Sequence, residues 1–352
     1  MIFSALNDKP LTSAAEKLGR NDDRPPAEAL LAIRNLSITF DTYGPPSRVV
    51  EDLNLEVMKG EILGLVGESG CGKSVLARTI LRLLPSPPAR MKGEVIFKGE
   101  NLLTVNKRRL RSVRGGEISM IFQEPMTSLN PVFTVGRQMS EVLRLHTGAD
   151  RREARRVACE LLAAVKMPDP ETAFDKYPHE LSGGQRQRVM IAMELSCGPA
   201  LLIADEPTTA LDVTVQGQVL ALLNELTRAR GVSTLFITHD LGVVAQLCDR
   251  VAVMYAGCLV ELAPVKDLFS RPGHPYTRGL LAAIPTIADP RESLPSIPGQ
   301  VPDLTSPPPG CRFHPRCSRC LDICRQENPS LISQGSEHGV ACHNPWLEGA
   351  AA

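Results

Sequence analysis

The residues of this chain best suited to chemistry form the run Gly67-Glu68-Ser69-Gly70-Cys71-Gly72-Lys73-Ser74. Glycines at this spacing let consecutive backbone N–H groups converge on one point, and a helix starting near Lys73 adds the positive end of its dipole. Lys73 contributes a point charge and Ser74 a hydroxyl that suits Mg²⁺. The expected guest is the phosphate chain of a nucleotide, cradled by Gly67, Ser69, Gly70, Cys71, Gly72, Lys73, Ser74 and Val75. Cys71 sits among groups whose backbone amides do the binding, so its side chain matters little.

A second acidic element completes the chemistry. Leu201-Leu202-Ile203-Ala204 delivers Asp205 and Glu206 at the C-terminal end of an apolar run, where ligand groups gather in open α/β sheets. Asp205 is expected to hold Mg²⁺ and Glu206 to polarise an attacking water as general base. An Asp-Glu-Pro string alone would more simply cap the next helix; beside a phosphate loop the catalytic reading is preferred. Two further runs end similarly. Gln123 follows Ile118–Phe122 and could touch both the Mg²⁺ shell and the water, and His239 follows Ser233–Thr238 as a sensor of the terminal phosphate. Leu181-Ser182-Gly183-Gly184-Gln185 offers another cluster of amides before a helix, a second anion site.

These groups need a rigid frame. Ile62–Val66 is continuously apolar, as in a parallel strand buried on both faces. The helix after it carries Leu76, Ile80, Leu83 and Leu84 at helical spacing, and Pro85 stops it. Between Gln123 and the second anion site the chain reads as a mainly helical insert, with Val157, Leu161, Leu162 and Val165 on one helix face. Its basic run Arg151-Arg152-Glu153-Ala154-Arg155-Arg156 is read as a solvated face, since the formal charge of the whole chain is zero.

Taken together these motifs resemble the ATP-binding cassette (ABC) ATPases over nearly the whole chain. The resemblance implies an α/β fold, an ABC-type P-loop ATPase with a RecA-like core, an antiparallel β subdomain, a helical subdomain at about 125–180 and a small Cys-rich C-terminal domain. It makes Gly67–Ser74 the Walker A loop, Gln123 the Q-loop glutamine, Asp205 and Glu206 Walker B and Asp212 part of the D-loop. His239 becomes the switch histidine, and Phe40, with Tyr43 as second candidate, the aromatic that stacks on adenine. It also assigns Ser182, Gly183, Gly184 and Gln185 to the signature, which acts on ATP held by a second cassette, identical or a related sister. Binding then closes the pair and hydrolysis reopens it.

Phe122–Pro131 and His274-Pro275-Tyr276-Thr277-Arg278 resemble, more narrowly, the ATP-binding subunits of oligopeptide and dipeptide importers, the peptide/nickel group. That implies two transmembrane permease subunits, an external solute-binding protein, no nucleic acid, and a peripheral place on the cytoplasmic face of the inner membrane. A soluble cassette protein of DNA repair or translation is the alternative; the chain has one cassette and no sustained heptad between Lys73 and Asp205 to support it. No stretch reaches the ~20 apolar residues of a membrane span. The expected organisation is a mobile tail at 1–27, the ATPase at 28–284, and a proline- and cysteine-rich unit at 285–352.

Five of the ten cysteines lie in that last unit: Cys311, Cys317, Cys320, Cys324 and Cys342. So short a unit buries little apolar area, and a metal centre would stabilise it where disulfides are reduced. The resemblance implies a [4Fe–4S] cluster on Cys311, Cys317, Cys324 and Cys342, with zinc as the alternative. Cys320, His314 and His343 are substitutes for any one ligand.

Overall fold

The structure is a computed structural model that describes residues 29–41, 43–123, 129–208, 212–284, 296–333 and 337–346. The expected N-terminal tail at 1–27, the peptide-group residues 124–128, the D-loop residues Ala210 and Leu211, and the expected boundary near Pro285 lie outside the described residues.

Two sheets organise the described residues. β1 (Ala29–Phe40), β2 (Ser47–Met58), β4 (Ala89–Phe97) and β5 (Glu100–Asn101) form an antiparallel sheet in the order β2-β1-β4-β5. The larger sheet has the order β11-β12-β10-β9-β3-β8-β7-β6. Its parallel part consists of β3 (Ile62–Val66), β6 (Ile118–Ile121), β7 (Leu201–Asp205), β8 (Ser233–Ile237) and β9 (Arg250–Tyr255). β10 (Cys258–Pro264), β11 (Ile332–Ser333) and β12 (Gly339–Val340) extend it in antiparallel fashion.

The central strands explain the sheet. Every residue of β3, β7 and β8 is buried, which is why their sequences lack polar alternation. Successive residues feed opposite cores. Leu63, Leu65, Leu201, Ile203, Leu235 and Ile237 pack against the antiparallel sheet and against Leu76 and Ile80 of the helix Lys73–Ile80. Ile62, Leu202, Ala204 and Phe236 face a second core built with helices.

Three of those helices, Val135–Thr147, Arg151–Ala164 and Pro170–Asp175, lie between β6 and β7. Thr134, Asp150 and Asp169 cap them by accepting from the amides of Arg137, Glu153 and Thr172. Val157, Leu161, Leu162 and Val165 are buried on one side. The basic run on the other side is ion-paired: Arg155 with Glu171 and Asp175, Arg156 with Glu153 and Glu160. Among the described residues no helix is long and apolar enough to cross a membrane.

The C-terminal segment differs from expectation. A separate small cysteine-rich domain is not supported: among the described residues the segment has no core of its own. Phe313, Cys311 and Cys317 pack into the cluster that contains Val66, Val253, Tyr255 and Tyr276, and β12 pairs with β10, Glu261 opposite Val340. With so few apolar side chains the segment borrows the ATPase core.

Candidate functional site

Register brings the chemistry to one edge of the large sheet. Ile121 lies opposite Ala204, Asp205 opposite Ile237, and Leu65 opposite the same Ile237. The residues that follow the C-terminal ends of β6, β7, β8 and β3 therefore emerge side by side: Gln123, Glu206, His239 and the loop from Gly67.

The loop is built on glycine where nothing else fits. Gly67 has φ +154° and a Cβ there would lie 2.2 Å from the Met254 carbonyl oxygen; Gly72 has φ +103° and a Cβ there would lie 2.8 Å from Val49 O. Gly72 forms the left-handed N-cap of the helix Lys73–Ile80. Lys73 is 6% exposed, and its ammonium donates to Gly67 O at 2.7 Å and Glu68 O at 3.1 Å. Among the described residues it makes no ion pair. A buried cation held by backbone oxygens at the mouth of a glycine loop fits an anion guest. Burial also pushes the Cys71 thiol upward, so it sits beside Lys73 as a neutral group.

Ser74 and Asp205 meet across 131 residues, Oγ donating to Oδ1 at 3.0 Å. Burial raises the Asp205 carboxyl above its usual range; the Ser74 hydrogen bond opposes this and the Glu206 charge adds to it. A buried carboxylate with a serine hydroxyl beside it is a hard-oxygen set that a divalent cation would stabilise in its charged form, so the residues present fit Mg²⁺. Glu206 stands between two partners: Gln123 Nε2 donates to Oε2 at 3.1 Å, and His239 Nδ1 lies 3.2 Å from Oε1. Its φ is +47°, a strained conformation for a non-glycine residue, held by its N–H bond to Ile237 O at 2.9 Å.

Other expected site residues lie further out. Ser182 is the N-cap of the helix Gly183–Glu194, accepting from Gln185 N at 3.3 Å, while Gln185 Oε1 accepts from Ser182 N at 3.0 Å. Ser182 and Gly183 are exposed, and none of the bonds described for them reaches Gly67–Ser74. Asp212 caps the helix Val213–Arg230 through Val215 N. Phe40 and Val75 rest half-buried against the core, and Tyr43 is fully exposed.

The metal expectation for the tail finds no support among the described residues. Among the described residues no three His, Cys, Asp or Glu side chains are arranged to hold a metal ion, so neither [4Fe–4S] nor zinc on Cys311, Cys317, Cys324 and Cys342 is supported. Three of these sulfurs accept backbone N–H bonds instead, Cys317 from Arg319, Cys324 from Leu321 and Cys342 from Asn344. Burial, with a smaller push from the neighbouring sulfurs, raises the thiols of Cys311 and Cys342 to about 12 and about 11. Cys320 Sγ donates to Leu321 O, and His314 and His343 bond to the carbonyls of Cys311 and Glu327.

Sequence reasoning missed three contacts at the site. Gln187, fully buried, donates to the carbonyl of Pro207 and so ties the signature helix to the acidic strand end. Tyr276 and Arg316 both reach Glu68 of the phosphate loop. The His-Pro-Tyr run carried the only signal, and it marked a family rather than a contact.

With this geometry in view, comparison with known proteins is direct. The ABC transporter family model matches residues 50–209, and the model of the oligopeptide/dipeptide transporter C-terminal region matches 260–324. A probable peptide ABC transporter ATP-binding protein of Sinorhizobium fredii is 53% identical over 92% of this chain and 97% of its own. The dipeptide transport ATP-binding protein DppD of Bacillus subtilis is 47% identical over 91% and 95%. Among solved structures, the dimeric post-hydrolysis cassette MJ0796 bound to ADP and Pi superposes with TM-score 0.59 at 27% identity, covering 67% of this chain and 98% of that one. The chain belongs to the ABC ATPases, the ATP-hydrolysing cassettes of transporters. Within them it groups with the ATP-binding proteins of peptide transporters.

Proposed function

We propose that this chain binds and hydrolyses ATP at an interface between two cassettes and thereby drives uptake of peptides or a related solute through two permease subunits. The observation that carries the reading is the meeting of Lys73, Ser74, Asp205, Glu206, Gln123 and His239 at one sheet edge. The relatives' names supply the solute class.

In this reading the amides of Gly67–Ser74 and the Lys73 ammonium take the phosphates, and Ser74, Asp205 and Gln123 hold Mg²⁺, which neutralises phosphate charge. Glu206 accepts the proton of the attacking water; Gln123 orients that water, and His239 holds the carboxylate and reports the terminal phosphate. Phe40 stacks on adenine beside Val75. Ser182, Gly183, Gly184 and Gln185 contact ATP on the opposing cassette, identical or a sister, with Asp212 near the joint. The insert at about 125–180 is the part that engages the permease, on the cytoplasmic face of the inner membrane, and an external binding protein delivers the solute. The tail packs into the ATPase core through Phe313 and its neighbours.

The test is reconstitution. Chain, permease subunits and binding protein in liposomes should take up labelled peptide only with ATP, and hydrolysis should rise when the binding protein is loaded. Hydrolysis that ignores the permease would favour the soluble alternative.

A further inference from the structure

The phosphate loop is gripped from outside by the C-terminal segment. Glu68, directly after the first loop glycine, has both carboxylate oxygens on Arg316: Nη1 to Oε2 at 2.8 Å and Nη2 to Oε1 at 3.2 Å. Its amide N–H donates to Tyr276 Oη at 2.9 Å. Neither partner is free to drift. The Arg316 side chain is 5% exposed; its Nε and Nη2 donate to Pro298 O and Ile297 O at 2.9 and 3.2 Å, and its guanidinium sits 5.7 Å from the Tyr255 ring centre. Tyr276 is wholly buried, 4.6 Å from Tyr255 and 5.5 Å from Phe313 between ring centres. The His-Pro-Tyr run explains this placement: His274 Nδ1 accepts from the Tyr276 amide at 3.0 Å and caps the helix Pro275–Ala282, which turns the phenol toward the loop.

We infer that Arg316 and Tyr276 are positioning residues for ATP. Tyr276 sets the direction of the Glu68 peptide unit, and with it the turn that aims the amides after it. Arg316 cancels the Glu68 charge at the place a triphosphate must approach. The physics is one of sign: a carboxylate in the second position of an anion cradle repels the guest unless a cation holds it, and a rigid bidentate fork does this without reaching into the cradle itself. The C-terminal region thus completes the nucleotide site of the same chain. This deepens the reading of Gly67–Ser74 as the triphosphate cradle and rests on it.

The test is a titration of the full chain with a fluorescent ATP analogue and Mg²⁺, beside steady-state hydrolysis in the reconstituted complex. Arg316→Ala should raise Kd and KM roughly tenfold, the scale of one uncompensated charge near a polyanion, with kcat changed by less than about twofold. Glu68→Gln placed on top of Arg316→Ala should return Kd to within about twofold of the parent, although the packing of Arg316 is still missing. Tyr276→Phe, which removes one oxygen and keeps the ring, should raise Kd by several-fold.

Unchanged affinity in Arg316→Ala would overturn the inference. So would a weakened Arg316→Ala that Glu68→Gln does not rescue, since that marks a packing role. Lys73→Ala separates the two levels: if it binds the analogue normally, the cradle assignment itself is wrong, whereas a silent Arg316→Ala beside a dead Lys73→Ala rejects the brace alone.

Discussion

His239 Nδ1 lies 3.2 Å from Glu206 Oε1, at the ends of two adjacent parallel strands. The pairing leaves Glu206 oriented but not locked, with its second oxygen on Gln123. Glu206→Gln should therefore lower kcat by ~10²–10⁴ while leaving ATP affinity within a few-fold, and should hold the cassettes paired in ATP. Phosphate release and light scattering in ATP check both; hydrolysis at the parental rate removes Glu206 as the base.

Ser74 and Asp205, hydrogen-bonded to each other, are the oxygen pair proposed to hold Mg²⁺. Ser74→Ala should keep binding of metal-free ATP and lose most of the gain in affinity that Mg²⁺ brings, roughly tenfold. Asp205→Asn should do the same and abolish turnover. Isothermal titration with and without Mg²⁺ reads this directly, and an undiminished Mg²⁺ effect in both variants would move the metal elsewhere.

Ser182 is an N-cap, and the proposed cassette pair gives it a second role at the opposing ATP. As an N-cap with Gln185 it supports the helix Gly183–Glu194, so Ser182→Ala should cost about 1 kcal/mol of stability. In the assembled complex it should also slow hydrolysis, without changing ATP affinity of the isolated chain. A loss of affinity in the isolated chain would show the signature acting within one subunit.

His274 supplies a pH dependence. It is buried, and burial pushes its pKa down from 6.5 to about 4, against an opposing pull from Glu261. The groups facing it are Glu261, whose other contacts are His338 and the amides of Gly273 and His274, the ring of Phe313 and the backbone N–H of Tyr276. Between pH 6.5 and 4 the unfolded chain carries a proton on this ring that the folded chain does not. Stability therefore falls as pH drops through that window, by at most ~3 kcal/mol, and this contribution is constant above 6.5. Urea midpoints of the parent should drop relative to His274→Asn, which cannot titrate, as pH goes from 7.5 to 5; a constant difference would contradict the shift.

Much of the site is legible in linear order because its parts are short and sit at strand ends. Ser74 and Asp205 are far apart in sequence, yet each follows an apolar run that reads as a buried parallel strand, and parallel strands present their C-terminal ends together. Tyr276 and Arg316 were not legible in this way. Their contacts with Glu68 depend on β9 lying beside β3 and on Phe313 entering a shared aromatic cluster, and neither follows from local pattern. The packing of the tail is hidden for a related cause: five cysteines and many prolines suggest a self-contained unit, whereas the residues that tie it to the ATPase are Phe313, Arg316 and the two of β12. The left-handed backbone of Glu206 also leaves no trace in composition.

β12 is only Gly339–Val340, but it covers β10, and β11 in turn covers β12. Cutting the chain before Gly339 would strip this cover and leave a row of unsatisfied N–H and C=O groups along the apolar ribbon Cys258–Pro264. Such a margin recruits whatever strand is nearest, and shortened forms of this protein should clump rather than simply lose activity.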